Sequence, residues 1–211
     1  MKTCFLHKNP QSSDLILFVS GFASHFSHFS HLKAQNNVLM IYDYKDMNLD
    51  IELNSFKTVH LIAFSMGVSI SSKLLSYMKF KTSLAINGTP RGIDDEYGIK
   101  EEVFKKSMEN FNLLEFKKAL FAKNLNLGEN FYFQGQTQLK DELKSLFNFH
   151  KKHKVKKDLS FDKILLSKRD LIFSNRACEN FFKQKNTKII HSKEPHFVFF
   201  AFDSWEELCN I

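Results

Sequence analysis

Residues Val59–His60–Leu61–Ile62–Ala63–Phe64–Ser65–Met66–Gly67 decide how the rest of this chain is read. A continuous apolar run ends on a serine, and a helical pattern, Val68–Tyr77, follows without a linker. That order is the G-x-S-x-G nucleophile elbow, in which a strained strand-to-helix turn lifts a hydroxyl above a sheet. The helix N-terminus adds unpaired N–H groups where negative charge would develop. Ala63 replaces the first glycine, and its small side chain meets the same need for space. A serine at a helix start is also a common N-cap, so the bland reading of Ser65 is a cap and nothing more.

Outward from the elbow, four further apolar runs have strand length: Leu15–Ser20, Val38–Tyr42, Ser83–Ile86 and Ile164–Leu166, with a weaker one at Lys188–His191. Unbroken apolar runs predict strands covered on both faces, as in a parallel sheet. Helical patterns follow the third run and the fifth (Asn175–Gln184), which argues a mostly parallel, doubly wound α/β sheet with right-handed crossovers. Thr3–Leu6 is expected to add an edge strand. Residues 91–158 interrupt this alternation. Leu139, Leu143, Leu146 and Phe147 share one helical face, as do Val103, Phe104, Met108 and Phe111. So long an excursion is read as a helical cap inserted into a core of residues 1–90 and 159–211.

Composition narrows the classes. At 211 residues with 43% hydrophobic side chains, the chain can bury one domain and is too apolar for disorder. No apolar stretch is long enough to span a bilayer, and the first residues lack the apolar region of a secretory signal. Three widely spaced cysteines, Cys4, Cys178 and Cys209, suit a reducing compartment, so the cytoplasm is expected. Between Val103 and Lys157 twelve lysines face five acids, a local excess of +7 that matches the net charge of the whole chain. Such a face is either a solvated surface or a docking site for something acidic. It lacks the aromatic interleaving or helix-turn-helix pattern of a nucleic-acid module.

A serine nucleophile needs partners. The order in this elbow fold is serine, acid, histidine. Asp170 closes the run Ile164–Leu166 at its carboxyl side, and His196 follows the last strand, so Ser65, Asp170 and His196 are the candidate triad. His191 is a rival still inside a strand, His60 reads as a satisfied core histidine, and His150 and His153 read as surface. The backbone amides of Met66 and Phe22 are the expected oxyanion donors, with Gly21 letting the first loop curl toward the reacting carbon. His25, His28 and His31 diverge on a regular helix and have no carboxylate cluster beside them, so no metal is expected. Acyl transfer of this type needs no cofactor.

With these residues placed, the chain resembles the BioG-type pimeloyl-[acyl-carrier protein] methyl ester esterases of biotin synthesis. The similarity runs through LILFVSGFAS (Leu15–Ser24), IYDY (Ile41–Tyr44), AFSMGVS (Ala63–Ser69), INGTPRGIDDEYGI (Ile86–Ile99), LLSKRDLIF (Leu165–Phe173) and EPHF (Glu194–Phe197). The resemblance implies the α/β-hydrolase fold, Ser65 as nucleophile, His196 as base, Asp170 as acid, and a substrate borne on an acidic acyl carrier protein. Lys105, Lys106, Lys117, Lys118, Lys140 and Lys144 are then candidate docking cations, in a protein expected to be monomeric and free of the membrane. A thioesterase or general carboxylesterase with the same triad, or a non-catalytic binding protein of the same fold, are the competing readings. Glu129–Gly135 (ENFYFQG) looks like the recognition site of tobacco etch virus protease, and an exposed loop there would be cut.

Overall fold

The computed structural model describes residues 1–153 and 158–211. Seven strands form one sheet: β1 (Lys2–His7), β2 (Asp14–Val19), β3 (Asn37–Tyr42), β4 (Thr58–Phe64), β5 (Ser83–Ile86), β6 (Lys163–Ser167) and β7 (Lys188–Ser192). Their spatial order is β1-β3-β2-β4-β5-β6-β7. Only β1 runs antiparallel, against β3; each other neighbouring pair is parallel. The chain reverses direction across the sheet at β2 and β4, and loops after these central strands therefore meet at one carboxyl edge, where ligand sites gather in such sheets.

Among the described residues six α-helices accompany the strands: α1 (Met66–Leu74), α2 (Glu101–Glu109), α3 (Leu113–Phe121), α4 (Gln136–Lys152), α5 (Asn175–Lys183) and α6 (Trp205–Asn210). The central strands are buried on both faces, which is why they read as continuous apolar runs. One face carries Leu15, Leu17, Val19, Leu61 and Ala63; the other carries Ile16, Phe18, Ile62, Phe64 and the aromatic group of Phe29, Phe199 and Trp205.

The crossover from β3 to β4 has no helix. Met47, Leu49, Ile51 and Leu53 alternate with exposed polar residues and lie on the core as an extended segment. A period of two cannot make a helical face, so the sequence covers this side of the sheet with irregular backbone instead. Helix α1 likewise stops at Leu74, short of the expected Tyr77, which is 80% exposed. Helices α2, α3 and α4 all lie between β5 and β6, and α2 packs on α4. Phe104, Phe111, Leu139, Leu143 and Leu146 from this segment join the same apolar cluster as Val19 and Ala63 of the sheet.

Candidate active site

Ser65 leaves β4 with φ 56° and ψ −125°, a conformation non-glycine residues rarely adopt. Such strain costs on the order of 1–3 kcal/mol and survives only where neighbours fix it. Two features do so. Ser65 N donates to Ile86 O on β5 at 2.8 Å. Gly67 presses on β2, where an added Cβ would stand 2.2 Å from Val19 O and 2.4 Å from Ser20 O. The Ser65 side chain makes no capping hydrogen bond to α1. The hydroxyl is therefore free of the structural duty a serine usually has at a helix start.

His196 follows β7 and is almost wholly buried. Its Nδ1–H donates to Asp170 Oδ2 at 2.7 Å, while Asp170 Oδ1 accepts from the amides of Ile172 and Phe173 at 2.7 and 2.9 Å. Asp170 is thus both the histidine's partner and the cap of its own loop. Phe64 and Phe173 flank the imidazole. Among the described residues no hydrogen bond joins Ser65 to His196, but both line one cavity of about 350 Å³. Such pairs often tighten only once substrate is bound.

Phe22 and Met66 line the same cavity, and an added Cβ on Gly21 would lie 3.0 Å from Ser65 Cβ. The loop chosen for its glycine therefore passes directly beside the serine. The Phe22 ring packs edge-on against Phe111 and Phe116 of the 91–158 segment. Val103, Phe104, Leu143, Leu171 and Ile172 supply much of the remaining wall. The cavity is apolar apart from the catalytic candidates and a few side chains such as Ser107, Asn110 and Glu115.

The strand-end residue Asn87 was not singled out by the sequence, yet it organises the histidine loop. It sits at φ 48° and is buried. Its Nδ2 donates to Ser167 Oγ and to His196 O, both at 2.7 Å, and its Oδ1 accepts from Ser167 N at 2.7 Å. Ser167 Oγ in turn donates to Pro195 O at 2.8 Å. A polar side chain directly after an apolar parallel strand was the available signal, because that is the sheet's carboxyl edge.

The other histidines have separate employment. His60 Nδ1 meets Thr82 Oγ1 at 2.7 Å inside the sheet margin, and His191 lies in β7. His25 caps the 3-10 turn Phe26–Phe29, His28 holds Tyr132 O at 2.6 Å, and His31 holds Phe199 O at 3.0 Å. His150 corrects the surface reading. It is half-buried, meets Ser69 Oγ at 3.5 Å and contacts Arg91 O and Ile93 N, joining α4 to α1 and to the segment after β5. His153 is exposed, as expected, and stacks on Phe149.

Of the candidate docking lysines, Lys105, Lys106 and Lys118 pair with Glu101, Glu102 and Glu115 on their own helices. Lys117 and Lys140 donate to the carbonyls of Glu129 and Glu109 at 2.8 and 2.9 Å, and Lys144 is exposed. Lys154, Lys156 and Lys157 of the basic run lie outside the described residues.

Comparison with known proteins settles the lineage. The family described as pimeloyl-ACP methyl esterase BioG matches residues 1–208. The chain belongs to the BioG family. It is 28% identical to the BioG crystal structure from Haemophilus influenzae, with TM-score 0.91 over 99% of this chain and 100% of that one. A Haemophilus influenzae protein without a functional name shows 28% identity over 99% of both chains. A malonyl-[acyl-carrier protein] O-methyltransferase of Bacteroides fragilis is 34% identical over 49% of this chain, which is 22% of its own length. A lipase-esterase related protein from Clostridium acetobutylicum, 15% identical, shares the fold with TM-score 0.65 over 93% of each chain. The architecture expected from the strand pattern, an α/β hydrolase, is therefore the one found, and BioG membership makes the chain an esterase of biotin synthesis.

Proposed function

We propose that this BioG protein hydrolyses the methyl ester of pimeloyl-[acyl-carrier protein] through Ser65, His196 and Asp170. The observation that carries the reading is the buried His196–Asp170 hydrogen bond of 2.7 Å, in a cavity it shares with the strained, uncapped Ser65. Asp170 fixes the imidazole as the Nδ1–H tautomer, which leaves Nε2 free to accept the serine proton. Ser65 Oγ attacks the ester carbonyl, and the oxygen's developing charge is met by the amides of Met66 and Phe22. His196 gives that proton to the departing methoxide oxygen, which leaves as methanol. Water, deprotonated by the same histidine, then cleaves the acyl-serine to give the free carboxylate.

Residues 91–158 act as a cap in this account, and the apolar cavity suits an unbranched acyl chain entering beneath α2 and α3. The lysines on the outer face attract the acidic carrier at long range. Their contacts to neighbouring acids and carbonyls are exposed and readily exchanged. A carrier-borne substrate of biosynthesis is the ground on which the reaction is assigned to the cytoplasm. Among the described residues no helix is long and apolar enough to cross a membrane.

The test is turnover of a methyl-pimeloyl carrier protein, followed by methanol release and by the mass of the acyl group. Wild type is expected to remove the methyl group and leave the thioester to the carrier intact. Release of free pimelate monomethyl ester from the carrier would instead make the protein a thioesterase.

A further inference from the structure

The amide of Phe22 can serve an oxyanion only if its loop is held still. Residues Ser20–Ala23 leave β2 and turn at Ala23, whose φ of 60° is strained for a residue with a Cβ. One side chain grips this loop directly and a second holds the first in place. Tyr44 Oη donates to Ser20 O at 2.5 Å, at the loop's start. Glu142 reaches from α4 to the backbone of the same tyrosine, whose amide donates to its carboxyl at 3.3 Å.

Glu142 is 1% exposed and lies on the stripe that otherwise carries Leu139, Leu143, Leu146 and Phe149. A leucine would be the ordinary residue there, since a buried carboxyl is costly unless its hydrogen bonds are used. We propose that Glu142, together with Tyr44, is a positioning residue that fixes the Ser20–Ala23 loop and so couples the helical segment 91–158 to oxyanion stabilisation. This rests on the assignment of the Phe22 amide as an oxyanion donor.

The electrostatics fit an acceptor that need not be charged. Burial, with the charge of Asp43 adding to it, pushes Glu142 up to about 8. Asp43, Tyr44 and Lys45 are the polar groups that face it, and Asp43 is itself paired with Lys2 and Lys45. At neutral pH the carboxyl is therefore mostly protonated, and its carbonyl oxygen still accepts the Tyr44 amide. Glutamine can supply the same oxygen; leucine cannot.

The experiment uses the full chain, a short p-nitrophenyl ester and a trifluoromethyl ketone, whose tetrahedral adduct needs the same oxyanion donors. Glu142→Leu is expected to lower kcat by about 10- to 100-fold with KM changed less than about threefold, and to weaken the ketone in proportion. Glu142→Gln should stay within about threefold of wild type. Tyr44→Phe, which deletes only the hydroxyl, should cost about fivefold in kcat with KM unchanged. A folded Glu142→Leu with wild-type kcat, or Glu142→Gln as impaired as Glu142→Leu, overturns the proposal. Should Glu142→Leu fail to fold, wild-type kcat in Tyr44→Phe overturns it alone. Ser65→Ala run in parallel separates the two readings: a silent Ser65→Ala beside a fully active Glu142→Leu refutes the positioning role only, whereas an active Ser65→Ala refutes the site.

Discussion

Polar groups at the carboxyl edge of the sheet and on the outer face of residues 91–158 live under opposite conditions. At the edge, Asn87, Ser167, Asp170 and His196 are shielded from water, and each holds a named partner within 2.7–2.8 Å. On the outer face, lysines pair with acids one turn away or with carbonyls of neighbouring segments and remain half in solvent. Removing a group from the first region strands its partners without water. Removing one from the second lets water take its place. The same count of contacts thus carries very different energies, and mutation should expose that.

The largest effect is expected inside the proposed catalytic group. Ser65→Ala and His196→Ala should each lower kcat for any ester by about 10³-fold or more, with the melting temperature near wild type in Ser65→Ala and lowered in His196→Ala, which strands the buried Asp170, measured by p-nitrophenol release and circular dichroism. Asn87→Ala comes next. It leaves Ser167 N and His196 O without partners and should cost about 3 kcal/mol by urea unfolding, a penalty no single outer-face lysine should show. Equal losses from Asn87→Ala and Lys106→Ala would break the comparison.

Acid sharpens it further. Burial holds His28 and His150 down at about 4, against an ordinary value of 6.5. The unfolded chain therefore binds protons that the folded chain refuses, and stability is present above pH 6.5 and lost as pH falls toward 4. At pH 5 each imidazole should have cost on the order of 2 kcal/mol. Denaturant titrations at pH 7 and 5 test this, and His150→Gln should flatten the loss.

Smaller still is the lysine face. Lys140→Glu with Lys144→Glu should reduce kcat/KM for the carrier substrate about five- to tenfold at low salt, with the difference closing at high salt and no change on p-nitrophenyl esters. The smallest effect is at Glu129–Gly135. Phe131 and Phe133 pack in the aromatic cluster, Tyr132 O is held by His28, and the Gln134 side chain is bound to Lys45 and Asp43. The native chain should stay intact on a gel after overnight incubation with tobacco etch virus protease.

The contrast also explains what could be read beforehand. Strands covered on both faces write themselves as apolar runs, and the elbow is a local code, so β2 to β6 and Ser65 were legible. Asp170 and His196 followed from chain order and from their place after β6 and β7. Asn87 and Glu142 have partners 80 to 109 and 98 residues away, and no local pattern announces such bonds. Glu142 did leave a trace, as an acid on an otherwise apolar helical stripe. His150 misled because its lysine neighbours set the local composition, while its own face turns inward against Ser69. The β3–β4 crossover carried no helical pattern, because Met47 to Leu53 repeats every second residue.

Peptide mapping after exposure to a fluorophosphonate tests the central claim most directly, because the reagent marks a serine only where a base has activated it. The account predicts one phosphonylated residue, Ser65, and loss of that label in His196→Ala at unchanged fold. Labelling elsewhere, or undiminished labelling of Ser65 without the imidazole, would contradict it.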